Sequence, residues 1–142
     1  MKYTLFVVAV VISAAAAVAI AAQEQWTAPA SAAAKKNPVR TNAASIGRGK
    51  TVYTAECLSC HGSSGKGDGP AAKDLKESPG DMTKLGSQSD GALFWKISEG
   101  RSPMPSFQET FSEEQRWQIV NYVRTLAPRD ENKKQEAKIG GK

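Results

Sequence analysis

The sequence contains few of the side chains that bind metal ions directly, with two cysteines and one histidine among 142 residues. A structural zinc site of the usual kind needs four Cys or His ligands, and a cysteine-bound iron–sulfur cluster needs four thiolates. One chain can build neither. Long runs of basic charge are also missing, because the longest are the pairs Lys35-Lys36 and Lys133-Lys134. Such pairs are too short for a nucleic-acid-binding arm, so we expect no nucleic-acid partner.

No segment shows the alternation of apolar and polar residues that is typical of a strand, and no segment is repeated. Apolar residues instead recur at helical spacing in three places: from Ser45 to Cys57, over 91–99, and from Ser112 to Leu126. Ser45 and Asp90 are the expected N-caps of the first two helices. Glycine- and proline-rich loops separate them. The sequence therefore predicts an all-α fold.

The first residues have the layout of an export signal. Lys2 precedes an apolar stretch from Leu5 to Ile20, and the small residues Ala19 and Ala21 favour cleavage before Ala22. We predict a signal peptide over residues 1–21. The alternative is an uncleaved anchor or membrane tether over residues 4–22, which as a helix would be about 28 Å long. Both readings place the rest of the chain outside the cytoplasmic membrane of a bacterial host.

The remaining chain divides into three parts by composition. Residues 22–44 are rich in Ala, Pro and Lys and predict a flexible linker. Its one large apolar residue, Trp26, either makes an incidental surface contact or docks on the domain at a place that the sequence does not indicate. Residues 45–128 hold the helical patterns and form the predicted domain. Residues 129–142 predict a charged, flexible tail. A domain this short buries a small core, so something else must fill its centre.

The stretch Cys57-Leu58-Ser59-Cys60-His61 is the attachment signature of a c-type haem. Two thiols three residues apart on a helical turn can bond the two vinyl groups on one porphyrin edge. The next side chain, His61, then projects towards the iron as the proximal ligand. The alternative is a disulfide or a thioredoxin-like redox pair, but that site belongs to a βαβ unit, which the sequence does not indicate.

The candidates for the second axial ligand can be reduced by elimination. His61 is the only histidine, which excludes ligation by two histidines of one chain. Met104 lies in Ser-Pro-Met-Pro, a segment that two prolines stiffen, and a rigid loop suits the presentation of a weak sulfur ligand. We predict Met104 as this ligand. Met82 and an open sixth position stay as alternatives, and core packing is the ordinary role of a methionine.

Residues 45–126 resemble the class I, monohaem c-type cytochromes, near the small bacterial and photosynthetic members. The matching features are Gly49 and Tyr53, the Cys57–His61 motif, the segment Gly65–Pro70, Met104-Pro105 and the helix Trp117–Leu126. The resemblance implies a small cytochrome c fold, with about three to five short helices wrapped around one covalent haem c.

The resemblance also implies particular contacts around that haem. Gly49 would let the first and last helices cross closely, with Tyr53 against the last helix. The carbonyl of Pro70 would accept a hydrogen bond from the proximal His61. Apart from the resemblance, Arg101 is a candidate to neutralise a haem propionate. Trp95 packs on the haem, donates its indole N–H to a propionate or, as is the default, belongs to the core.

A His/Met haem leaves no position open for substrate, so we expect a one-electron carrier cycling between Fe(III) and Fe(II), not an enzyme. The alternative is a haem-based catalyst or a gas or peroxide sensor with a labile or absent Met ligand.

The net charge of +5 favours acidic redox partners, such as an oxidase or dehydrogenase, or is simply a solvated basic surface. The expected location is periplasmic or otherwise extracytoplasmic, soluble or anchored. The candidate guiding residues are Lys66, Lys73, Lys76, Lys84, Lys96 and Arg101.

Overall fold

The structure, a computed structural model, describes residues 26–127. The predicted signal peptide or anchor over 1–21 and the predicted tail over 129–142 lie outside the described residues. Across 26–127, no helix combines the length and apolar character that crossing a membrane requires.

Helices form nearly all of the regular structure in the described range. The α-helices are α1 (Ala30–Ala33), α2 (Ala43–Glu56), α3 (Leu58–His61), α4 (Asp90–Glu99) and α5 (Glu113–Arg124). Two 3₁₀ helices, Ala72–Asp74 and Met82–Ser87, interrupt the long connection between α3 and α4. Residues 26–127 contain no β-strand, only one isolated bridge. The predicted all-α fold with three to five short α-helices is confirmed.

Two helix starts differ from the sequence prediction. The N-cap of α2 is Asn42, whose side chain accepts a hydrogen bond from the backbone N–H of Ser45, while the Ser45 hydroxyl accepts one from the N–H of Asn42. Ser45 is therefore the third residue of the helix and not its cap. The N-cap of α4 is Ser89, one residue before Asp90. In both cases neighbouring residues have cap chemistry, and sequence alone does not choose between them.

Helices α2 and α5 cross at close range, and Gly49 makes this possible. A Cβ atom placed on Gly49 would lie 1.9 Å from the backbone oxygen of Gln118, so the two backbones leave no room for any side chain there. Beyond the crossing, the buried Tyr53 ring packs on Tyr122, with 5.0 Å between ring centroids, and joins a cluster with Ile119. The expected contacts of Gly49 and Tyr53 are confirmed.

Helix α4 packs on the other side of α5 through a second apolar cluster. The rings of Phe94 and Trp117 stack with centroids 4.0 Å apart, and Leu93 and Val120 complete the buried group. Arg124 at the end of α5 donates hydrogen bonds to the Asp90 carboxylate at 2.8 Å and to two carbonyl groups of the 82–88 connection. These contacts fix α4 and its preceding loop to α5.

Residues 26–44 pack on the helices, and this corrects the prediction of a flexible linker. The hydroxyl of Ser89 donates a 2.6 Å hydrogen bond to the carbonyl of Ala33, which joins α1 to the start of α4. Ala28 is buried. The ordered domain therefore begins at least as early as Trp26 and not at Ser45.

The buried side chain of Asn121 on α5 is the main anchor of this segment. Its amide oxygen accepts hydrogen bonds from the side chains of Asn37 at 2.9 Å and Thr41 at 3.0 Å. Its amide nitrogen donates to the carbonyl of Val39 and the hydroxyl of Ser45, both at 3.2 Å. The composition of residues 22–44 does not predict that they pack on α5, because Asn121, the residue that binds them, lies more than 80 residues away in the sequence.

Substitution of Gly49 tests the helix crossing. Gly49→Ala places a methyl group against the Gln118 carbonyl, and we expect the free energy of unfolding to fall by about 1–3 kcal/mol. Gly47→Ala is the matched control, because it lies in the same helix with open space around it. This control should raise stability by about 0.5–1 kcal/mol. Denaturant titrations of both variants measure the difference, and equal effects would contradict the crossing.

Candidate haem site

A cavity of about 320 Å³ lies between α2, α3, α5 and the loop that follows α4. This volume falls in the range of protein sites for small cofactors. The cavity wall is mostly apolar and takes residues from each of these elements. The side chains that matter for haem chemistry are Tyr53, Cys57, Cys60, His61, Met82, Arg101 and Met104.

The cysteines and the histidine of the motif meet at this cavity because the chain turns tightly after α2. Cys57 ends α2, and its carbonyl accepts hydrogen bonds from the N–H groups of Cys60 at 3.2 Å and His61 at 2.9 Å. Both thiols are free and half-buried. Burial raises the pKa of the Cys57 thiol to about 11, with the charges of Glu56 and Cys60 adding to the effect. The thiol is therefore protonated at neutral pH.

The His61 ring is half-buried and carries an unsatisfied atom. Its Nδ1 is buried and has no hydrogen-bond partner within residues 26–127. Burial lowers the pKa of His61, and a backbone hydrogen bond with Gly80 opposes this shift. A neutral imidazole is the form that binds metal ions. Pro70, the expected hydrogen-bond acceptor for this ring, is exposed and does not line the cavity, and no hydrogen bond from His61 Nδ1 to it is seen within residues 26–127.

Tyr53 supports the turn that carries His61. Its hydroxyl donates a buried 2.7 Å hydrogen bond to the carbonyl of Gly62, the residue after His61. Burial raises the pKa of Tyr53 well above its usual range, and the charge of Cys57 adds to this. The hydroxyl therefore stays a donor at any physiological pH, and it fixes the end of α3 relative to α2.

Two methionines line the cavity in different settings. Met104 closes a four-residue turn in which its backbone and that of Arg101 exchange hydrogen bonds of 2.8 and 3.0 Å. Met82 starts a 3₁₀ helix, its N–H donates to the carbonyl of Gly65, and its side chain packs against the cluster around Tyr53. Met104 is thus presented by a loop, whereas Met82 also contributes to the core.

The loop that carries Met104 is held against the end of α4. The Ser106 hydroxyl donates a 2.6 Å hydrogen bond to the Ser98 carbonyl, and the Phe107 N–H donates to the Ile97 carbonyl at 3.2 Å. Gly100 ends α4 with φ of 67°, a conformation that favours glycine. Hydrogen bonds to α4 therefore restrain this loop in addition to the prolines from which its rigidity was predicted.

Two indoles pack together beside the cavity. Trp95 does not line the cavity and packs on Trp26 with ring centroids 6.4 Å apart, so of the roles left open for Trp95 these contacts favour packing within the protein over contact with the haem. Trp26, for which the sequence does not indicate a docking place, lines the cavity. Its one signal was being the only large apolar side chain in residues 22–44.

The basic residues expected near the haem edge are spread around the cavity instead of lining it. Only Arg101 is part of the wall, and it forms a 3.4 Å ion pair with Glu77. Lys84 pairs with Asp81 at 3.2 Å. The others of the six lie outside the wall; Lys66, Lys73 and Lys76 are exposed, and Lys96 is half-buried.

The residues present fit a covalently bound haem. Two free thiols, a neutral imidazole with an unsatisfied nitrogen and a thioether share one apolar cavity. The sequence model of the family described as cytochrome c oxidase, cbb3-type, subunit III matches residues 44–123. The chain belongs to the class I, monohaem c-type cytochromes. As a member of this family it carries one covalently attached haem c and transfers electrons, and it is not an enzyme.

Known relatives and a solved structure agree with this placement. The chain is 36% identical to cytochrome c6 of Microcystis aeruginosa over 75 residues, which are 53% of this chain and 89% of that protein. It is 33% identical to cytochrome c6 of Anabaena variabilis, over 53% of this chain and 84% of that one. A chain of the Kuenenia stuttgartiensis reducing HAO-like protein complex superimposes with a TM-score of 0.59 at 32% identity, over 64% of this chain and 47% of that chain.

Removal of the Tyr53 hydroxyl tests its role at the motif. Tyr53→Phe leaves the buried Gly62 carbonyl without its partner, and we expect a loss of about 1–3 kcal/mol in the free energy of unfolding. Tyr122→Phe is the control, because no hydrogen bond to the Tyr122 hydroxyl is seen within residues 26–127. Denaturant titration of the haem-loaded proteins compares the two. An equal loss in both would contradict a specific role for Tyr53.

Proposed function

We propose that this cytochrome carries single electrons between redox proteins outside the cytoplasmic membrane, with a haem attached at Cys57 and Cys60 and ligated by His61 and Met104. The observation that supports this most is the meeting of these four side chains at one apolar cavity. When bound, the haem supplies the iron that accepts and releases the electron. The protein supplies attachment, axial ligands and burial.

In this proposal Cys57 and Cys60 would each hold the haem by adding the S–H bond across one vinyl double bond, so that sulfur and hydrogen both join the vinyl carbons and nothing leaves. Both thiols are half-buried at the cavity wall, and the raised pKa of Cys57 keeps its thiol in the protonated form that such an addition consumes. His61 serves as an uncharged ligand, because burial lowers its pKa. Tyr53 acts through Gly62 and is a positioning residue for His61.

Met104 is the proposed second axial ligand, and Met82 is the alternative. The paired turn at Arg101 and Met104 and its attachment to α4 hold the Met104 side chain at the cavity with few degrees of freedom. Met82 already has a packing role beside Tyr53. Thioether ligation raises the reduction potential relative to ligation by two imidazoles, as an electron carrier with a mild potential requires.

The haem-based catalyst or sensor has less support than the carrier. Peroxide chemistry at a haem benefits from a nearby imidazole as acid and base, and His61 is the chain's only histidine. A ligand-sensing site needs an open axial position, which the Met104 turn would close.

The proposed partners are acidic redox proteins such as an oxidase or a dehydrogenase. The formal charge of +5 would steer such partners to this surface. We keep residues 1–21 as a signal peptide or anchor and 129–142 as a tail, which places the domain in the periplasm or a similar compartment.

The two methionines can be separated by one spectroscopic test. Met104→Ala should abolish the weak far-red absorption band that a ferric iron–thioether bond produces, and it should lower the midpoint potential, because the thioether is gone. Met82→Ala should retain the band with at most a small loss of stability. A band that survives in Met104→Ala and disappears in Met82→Ala would reverse the assignment.

Charge reversal tests electrostatic steering. Lys76 lies between Leu75 and Glu77, both of which line the cavity, whereas Lys50 lies on a part of α2 that does not. Both substitutions, Lys76→Glu and Lys50→Glu, change the net charge equally. We expect Lys76→Glu to slow oxidation by the anion ferricyanide more than Lys50→Glu does, and the difference should shrink as salt is added. Identical rates at low salt would favour a merely solvated basic surface.

A further inference from the structure

Residues 26–43 lie outside the part of the chain that the family model matches, 44–123, yet they are bound to the domain. Asn37 and Thr41 donate to Asn121, Ser89 donates to Ala33, and Ala28 is buried. We call residues 26–42 the N-terminal strap. Its contacts run from the start of α2 across α5 to α4, and they bring its first described residue, Trp26, to the haem cavity.

Trp26 lies half-buried in the cavity wall, in contact with two cations and a second indole. The Lys96 ammonium is 5.3 Å from the Trp26 ring centroid, and the guanidinium carbon of Arg101 is 5.7 Å from it. The Trp95 ring packs on Trp26 with centroids 6.4 Å apart. Cations at this distance from an indole are attracted to its face. Trp26 is therefore held by contacts with three side chains.

The contact with Arg101 links the strap to the proposed ligand loop. Arg101 is the residue whose backbone exchanges two hydrogen bonds with Met104, so a side chain that restrains Arg101 restrains the Met104 turn. Trp26, Arg101 and Met104 all belong to the wall of one cavity. The strap is thus connected to Met104 through the Arg101 side chain and the two backbone hydrogen bonds between Arg101 and Met104.

We propose that Trp26 is a positioning residue for the haem site, which holds the Met104 turn through Arg101 and, as part of the cavity wall, keeps water from the haem. The proposal rests on the assignment of Met104 as the axial ligand. Loss of Trp26 would loosen the turn and admit water to the haem edge. Water favours the more highly charged ferric state, so the reduction potential should fall.

Three variants test this role in the haem-loaded full chain. Trp26→Ala removes the ring, and Trp26→Phe keeps an aromatic ring at the same place. Asn37→Ala cuts the strap at its hydrogen bond to Asn121, away from the cavity. Lys36→Ala is the matched control, because Lys36 is an exposed residue of the same strap.

The measurements are the affinity of the ferric protein for added imidazole, the midpoint potential and the temperature at which the far-red thioether band disappears. Trp26→Ala should bind imidazole several-fold more tightly, have a lower potential and lose the band at a lower temperature, while global unfolding shifts less. Asn37→Ala should change all three in the same direction. Trp26→Phe should lie between the alanine variant and wild type, and Lys36→Ala should match wild type.

The outcomes separate this proposal from the ligand assignment. Unchanged imidazole affinity and potential in both Trp26→Ala and Asn37→Ala, with the band present in wild type, would overturn the role of Trp26 alone. A band that falls only in step with global unfolding would reduce Trp26 to a structural residue and would overturn it as well. A wild-type protein with bound haem and no far-red band would overturn the Met104 assignment, and this inference with it.

Discussion

The close crossing of α2 and α5 at Gly49 is the constraint on which the rest of the structure depends. Direct contact between the backbones at Gly49 and Gln118 sets the separation of the two helices. That separation brings Tyr53 against Tyr122 and places the end of α2, with Cys57, at the cavity. Tyr53 also donates a hydrogen bond to the carbonyl of Gly62, the residue after His61. The position of the haem motif is therefore coupled to the helix crossing.

The sequence predicted the parts of this site that are local in the chain. The Cys57–His61 spacing, the glycine that permits the crossing and the stiff segment around Met104 are each contained in a few residues. The structure brings the Cys57–His61 motif and Met104 to one cavity, and Gly49 to the crossing of α2 and α5. Helix type and number were predictable for the same reason, because apolar spacing is a local property. The helix starts at Asn42 and Ser89 were missed, since several adjacent side chains could cap each helix.

What the sequence could not predict depends on contacts between distant residues. The position of Trp26 and the order of residues 26–44 come from partners on α4 and α5, and neither composition nor periodicity carries that information. The choice between the roles left open for Trp95 has the same origin. A helical face predicts partial burial, but whether the ring meets a cofactor or another indole is decided by which segment lies beside it.

The hydrogen bonds of Asn121 also determine where the folding unit can be divided. A chain that began at residue 44, where the family match begins, would keep Ser45 but would lack Asn37, Val39 and Thr41. The Asn121 carboxamide would then lie on α5 with three of its four hydrogen bonds replaced by contacts with water at an opened surface. A fusion protein that contained only the family-matched residues 44–123 would therefore lack part of the domain's interior. Residues 26–43, which resemble a spacer in composition, need to be included.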